Sequence, residues 1–194
     1  MNESRPTPFG QIDALRQGGA GAIEAVVDHW QKPLFAFAWR YLRNRADAED
    51  VVIETFVRLH RHRRRLRPDT NLSAWLFTTL ANLCHNRHRW RGRHPEENLD
   101  ATDEPAGVAS AVSPPCPRSS LESDEAERQI RAALDRLTHD QKAVVLLHHF
   151  ERLSYREIAG IVGCSERGVE TRLYRARQHL REMLAPLAAE LASR

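Results

Sequence analysis

Asp47, Asp50 and Glu54 stand three and four residues apart, so a helix over this stretch gathers three carboxylates on one side. Such a cluster can hold a metal, do acid–base work, sit in solvent, or dock on a basic partner. No His joins that face, and no Gly-rich loop nearby could cradle a phosphate. A docking face is therefore the better alternative to a plain solvated one. Further along, Thr78, Asn82, His85 and Arg89 recur at helical spacing, with Trp75 and Asn86 at the border of the same face. Hydrogen-bonding groups, an aromatic ring and terminal arginines supply what single-stranded nucleic acid needs, namely stacking and phosphate neutralisation. Trp75 taken alone reads more readily as core than as a base platform. A third set, Arg167, Thr171, Tyr174, Arg175, Arg177 and Gln178, projects from one side of a C-terminal segment. Its arginines can reach guanine edges or phosphates.

The elements that must position these groups are helices. Residues 22–30 and 33–43 carry apolar positions at helical spacing (Ile23, Val26, Val27, Trp30; Leu34, Phe37, Ala38, Tyr41), and Pro33 suits the first turn of the second segment. From Ala46 to His62, Val52, Phe56 and Leu59 form one stripe; after a break at Arg67–Asn71, Leu76, Leu80 and Leu83 point inward from a helix over Leu72–Arg91. Ser154-Tyr155-Arg156-Glu157 is a capping-box pattern, and the helix it opens contains Ile158, Ala159, Ile161 and Val162. Gly163-Cys164-Ser165 makes a turn, and Ser165 can cap a second helix with Val169, Leu173, Ala176 and Leu180 inward. This predicts a helix-turn-helix: small Ala159 where the helices cross, Gly163 where the turn needs positive φ, and Val169 as anchor. Strand-type alternation is absent, so the expected class is all-α.

Charge divides the chain as well. Of its 194 residues, 29 are Lys or Arg and 26 are Asp or Glu, a net of +3, and only Lys32 and Lys142 are lysines. Residues 1–93 carry 16 basic and 9 acidic side chains (+7), 94–127 carry 1 and 9 (−8), and 128–194 carry 12 and 8 (+4). From Arg58 to Arg93 ten arginines oppose one acid, Asp69. Five of ten prolines (Pro95, Pro105, Pro114, Pro115, Pro117) fall in the acidic stretch, which has too little apolar surface to offset its ordering entropy. The expected organisation is a helical domain over 10–93, a flexible acidic linker over 94–121, a helix-turn-helix domain over 122–185 and a tail over 186–194. The linker is either a solvated tether or, through Glu96, Glu97, Asp100, Asp103 and Glu104, a segment that folds back over a basic domain and lowers DNA binding.

No apolar run is long enough to span a membrane, and the N-terminus lacks a signal-peptide core, so a cytoplasmic protein without membrane insertion is expected. Cys84, Cys116 and Cys164 are too few and too widely spaced for a disulfide framework or a CxxC zinc site. They read as small packing residues, with redox sensitivity of Cys84 as the alternative. His60 with His62, His85 with His88, and the pair His148 and His149 each lack a third ligand. No metal and no cofactor is expected.

Asp47-Ala-Glu-Asp-Val-Val-Ile-Glu-Thr-Phe56, Ser73-Ala-Trp-Leu76, Ala81-Asn-Leu83, Leu153-Ser-Tyr-Arg-Glu-Ile-Ala159 and Gly168-Val-Glu-Thr-Arg-Leu-Tyr-Arg-Ala-Arg177 together resemble the bacterial extracytoplasmic-function (ECF) sigma factors. The resemblance covers about residues 10–93 and 122–185, in order. It implies a non-enzymatic initiation subunit of RNA polymerase, catalysis belonging to the polymerase. In that family the first domain docks on the clamp helices of the polymerase β′ subunit, a role falling here to Asp47, Asp50, Glu54 and Phe56. The loop Arg67–Asn71 and the following helix would recognise and melt the −10 element, through Asn71, Trp75, Thr78, Asn82, His85, Asn86 and Arg89. The helix-turn-helix would read the −35 element through Ser165, Arg167, Glu170, Thr171, Arg172, Tyr174, Arg175 and Arg177, and touch the β flap. Core RNA polymerase, promoter DNA and an anti-sigma factor are the implied partners.

Four positions depart from the family pattern. Ile53 stands where Gln is usual, Asn86 where Asp is frequent, His60 where Trp is frequent, and Glu170 at a usually basic recognition position. A carboxylate at Glu170 can accept from cytosine N4 or orient a neighbouring Arg. Two other classes remain as alternatives: a helix-turn-helix regulator with no polymerase role, which would need a receiver or ligand domain in front that the Arg-rich helical block fits poorly, and a metal-dependent nuclease built on Asp47, Asp50 and Glu54.

Overall fold

The computed structural model describes residues 11–18, 21–94 and 120–192. Most of the acidic linker, with its five carboxylates, its prolines and Cys116, lies outside the described residues, as do the N-terminal segment and the last two residues. Every described element is helical: α1 (Gln11–Gln17), α2 (Ala22–Leu42), α3 (Arg45–His62), a 3₁₀ turn (Arg63–Arg65), α4 (Leu72–Arg93), then α5 (Ser120–Asp135), α6 (His139–His149), α7 (Tyr155–Val162) and α8 (Glu166–Ala192).

Where the sequence suggests two segments meeting at Pro33, α2 is continuous. Pro33 removes one hydrogen bond, but Trp30, Leu34 and Phe37 on either side of it share one fully buried stripe. Trp30 and Phe37 both pack edge-on against Phe77 of α4, with ring centroids 6.1 and 5.8 Å away. Burying these large side chains outweighs the helix-breaking cost of about 3 kcal/mol for an interior Pro.

Short polar caps set the first domain's turns. Asn44 accepts from the Asp47 amide (2.8 Å) at the start of α3, and Asn71 accepts from the Ala74 amide (3.0 Å) at the start of α4. Arg43 ends α2 in the left-handed region (φ 54°), its amide bonded to the Trp39 carbonyl.

The second domain begins and ends beyond the limits read from composition. α5 opens at Ser120, inside the expected linker, and α8 runs through Pro186 to Ala192, inside the expected tail. Thr138 with Gln141 and Ser154 with Glu157 form two reciprocal capping boxes, the second as expected. Gly163 adopts φ 66°, turning the chain from α7 into α8. The Ser165 hydroxyl then accepts from the Gly168 amide at 3.1 Å. A Cβ at Gly168 would lie 3.2 Å from Cys164 Sγ, so this residue is glycine for close approach.

The two domains do not sit as separate beads. α2 packs on α6 and α4 on α7, and buried residues from Ile12 to Ala176 form one contiguous cluster.

Candidate nucleic-acid and docking surfaces

In α8, Val169, Leu173 and Ala176 are buried, holding the helix against α6 and α7. Helical geometry then forces Arg167, Glu170, Thr171, Tyr174, Arg175 and Arg177 outward, and all six are exposed, as is Ser165; Tyr174 shows 63% of its surface. Arg172 differs. It is half-buried and pairs with Asp140 of α6 at 2.9 Å, tying the recognition helix to its support. That partner was not visible in the spacing, because Asp140 lies in another helix.

The α4 face splits in two. Asn82, Asn86 and Arg89 are exposed, as is the capping residue Asn71. Trp75 is partly buried and packs against the core. Thr78 and His85 are covered by the second domain: the Thr78 hydroxyl donates to the Ile161 carbonyl (3.0 Å), and the His85 ring lies 4.1 Å from that of His139. Arg87 and Arg91, on the other flank, turn back to α3.

Their target is Asp47, which is turned inward and so stands apart from the rest of the expected docking face. Asp47 is only 7% exposed and pairs with Arg87 (2.8 Å) and Arg91 (2.6 Å). Asp50 lies 3.5 Å from Arg87 but keeps most of its surface in water. Glu54 pairs with Arg58 one turn on (2.8 Å), Phe56 is partly buried against the core, and Ile53 is 61% exposed between them. The open part of this face is therefore Asp50, Ile53 and Glu54, an exposed apolar side chain flanked by carboxylates. Among the described residues, no three His, Cys, Asp or Glu are placed to hold a metal ion.

Sequence reasoning missed the groups that join the domains. Lys142, buried in the apolar run of α6, donates to the Tyr41 carbonyl and to Asp135, both at 2.6 Å, and its ammonium lies 4.6 Å from the Tyr41 ring centre. Burial pushes its pKa down, and the hydrogen bond and charge of Asp135 oppose that shift. The Tyr41 hydroxyl and His139 Nδ1 share a 2.6 Å hydrogen bond. Burial pushes the Tyr41 phenol up. Arg40 stacks on Phe150 (4.5 Å) and pairs with Glu151 (3.6 Å). A lysine inside an apolar run, in a chain with only two lysines, was the available signal. Cys84 is wholly buried and burial pushes its thiol up, which makes it a packing residue.

A helix-turn-helix with a cationic outer face, packed on the first domain, whose longest helix mixes arginines with hydrogen-bonding side chains, defines a bipartite nucleic-acid-facing protein. Comparison with known proteins narrows the class. Residues 26–94 match the sigma-70 region 2 family and residues 127–180 match sigma-70 region 4. The chain is 36% identical over 158 residues to the ECF RNA polymerase sigma factor EcfG of Rhodopseudomonas palustris, covering 81% of this chain and 82% of that protein. It is 34% identical over 188 residues to SigE of Mycolicibacterium smegmatis, covering 96% and 71%. The crystal structure of the sigma factor RpoE of Bartonella quintana with its anti-sigma factor NepR aligns at TM-score 0.61 and 28% identity, covering 86% and 98%. The chain belongs to the ECF RNA polymerase sigma factors, non-catalytic initiation factors, and it directs promoter-specific transcription initiation.

Proposed function

We propose that the two domains divide promoter recognition between them. α3 docks on the clamp helices of the polymerase β′ subunit through Asp50, Glu54 and the exposed Ile53, with Phe56 supporting the face from beneath. Asp47 acts there as a positioning residue that fixes α4 against α3. The loop Arg67–Asn71 and α4 capture the melted −10 element through Asn71, Asn82, Asn86 and Arg89, joined by Trp75, Thr78 and His85 once the second domain moves away. α8 reads the −35 duplex through Arg167, Glu170, Thr171, Tyr174, Arg175 and Arg177, with Ser165 at the backbone and Arg172 bracing the helix, and the domain touches the β flap. The protein works in the cytoplasm, performs no chemistry of its own, and is restrained by an anti-sigma factor. No helix among the described residues is long and apolar enough to cross a membrane.

The observation that carries this reading is the outward set on α8, exposed because Val169, Leu173 and Ala176 are buried behind it. Combining the purified protein with core polymerase and a promoter library tests it. Promoter-specific initiation without another specificity subunit is expected; a regulator or a nuclease would give none.

A further inference from the structure

We propose that the contact between the two domains is a proton-sensitive latch, held shut by neutral His139 and released when acid charges it. His139 is the first residue of α6, and its half-buried ring meets groups from the other domain. From α2 comes Tyr41, sharing the 2.6 Å hydrogen bond with Nδ1. From α4 come His85, its ring tilted by 31° with centroids 4.1 Å apart, and His88, whose ring lies 6.3 Å from that of Tyr41, with the buried Cys84 thiol near Tyr41 and Lys142. Arg43, at the end of α2, adds positive charge near Lys142. The second domain itself contributes Lys142, Asp135 and Asp140.

These groups leave little room for another positive charge. Lys142 already places an ammonium in the interface, and Asp135 balances it. Asp140, the carboxylate next to His139, is engaged by Arg172. His139 also stands at the N-terminus of α6, where an imidazolium opposes the macrodipole. A proton on His139 would therefore sit in a partly desolvated contact, against a second histidine and a lysine. Opening the contact returns the ring to water.

The direction of the effect follows. In the packed form burial, then His85, His88 and Lys142, push His139 down from its ordinary 6.5 to about 4, with Asp140 pulling the other way. Burial lowers His88 in the same sense. The open form binds more protons between these values, so closure is fully favoured above pH 6.5 and weakens as pH falls toward 4. From pH 7.5 to 5.5, His139 alone lowers the closed-to-open ratio about tenfold. Opening uncovers Thr78 and His85, so acid frees the α4 face. That consequence for promoter melting rests on the function proposed above; the latch does not.

Small-angle scattering of the full chain, without polymerase or DNA, reads the latch directly. The radius of gyration is expected to rise from pH 7.5 to 5.5 at constant helical circular dichroism. His139→Gln offers Tyr41 an amide but takes no proton, and most of the rise should vanish. A constant wild-type radius, equal expansion of the variant, or loss of helix over the same interval overturns the proposal. Should His139→Gln fail to close at pH 7.5, proton NMR titration of the wild-type imidazole decides. A His139 midpoint below 6.5 supports the latch, and an ordinary value overturns it. A failed initiation assay would leave these results standing.

Discussion

Two helices of this protein, α4 and α8, carry arginines and polar side chains of the kind that suit nucleic acid, and the structure treats them differently. The outer face of α8 is open: Arg167, Arg175 and Arg177 are all exposed. On α4, Arg87 and Arg91 are bound by Asp47, while Thr78 and His85 lie under the second domain. Arg-rich composition alone does not distinguish them. A cation near a buried carboxylate of its own chain acts first as a structural group, whereas one projecting from a helix whose other side is core stays available to a ligand. The face proposed to read duplex is thus presented in the free protein, and part of the face proposed to capture the melted strand is covered.

The sharpest way to break this comparison is at Asp47. Asp47→Arg should cost about 3 kcal/mol of stability, the low end for losing one partner of a buried pair, because Arg87 and Arg91 keep some solvent. Asp50→Arg, on the exposed part of the same face, should change stability by less than about 0.5 kcal/mol yet weaken core-polymerase binding. Urea denaturation of both variants, with a core-enzyme pull-down for the second, checks the contrast. Equal stability losses would mean that the two carboxylates share one role.

On the open helix, Arg175→Ala should weaken −35 duplex binding by about 1–3 kcal/mol if the guanidinium reads a base. Mobility shifts against matched and mismatched duplexes measure it, and an unchanged affinity and preference would remove Arg175 from the interface. On the covered helix, Asn82→Ala should leave duplex binding alone and weaken open-complex formation by about 1 kcal/mol, the worth of one hydrogen bond. Permanganate footprinting of the holoenzyme shows whether melting is impaired; normal melting would count against the α4 assignment. A last test addresses the support beneath α8. Ser154→Ala should cost about 1 kcal/mol by removing the α7 cap, seen as a lower melting temperature at unchanged −35 preference.

What the sequence determined by itself is local. Capping at Ser154 and Ser165, positive φ at Gly163 and the stripe Val169–Leu173–Ala176 depend on residues within a turn or two of one another, and each is found as the spacing predicts. So is the exposure of Arg167, Arg175 and Arg177, because burying one side of a helix exposes the other. Composition sets the ends of the second domain short of its helices: Ser120 and Pro186 look like loop residues, yet α5 opens at Ser120 and α8 continues through Pro186 to Ala192. Only the tertiary structure decided which charged groups meet. Asp47 finds Arg87 and Arg91 across forty residues or more, Arg172 finds Asp140, and Lys142 reaches the Tyr41 carbonyl in the other domain. Helical periodicity assigns a side chain to a face, but what lies opposite that face is fixed by packing between distant segments. Burial then sets the cost of each charge there, and so which of them are free to bind.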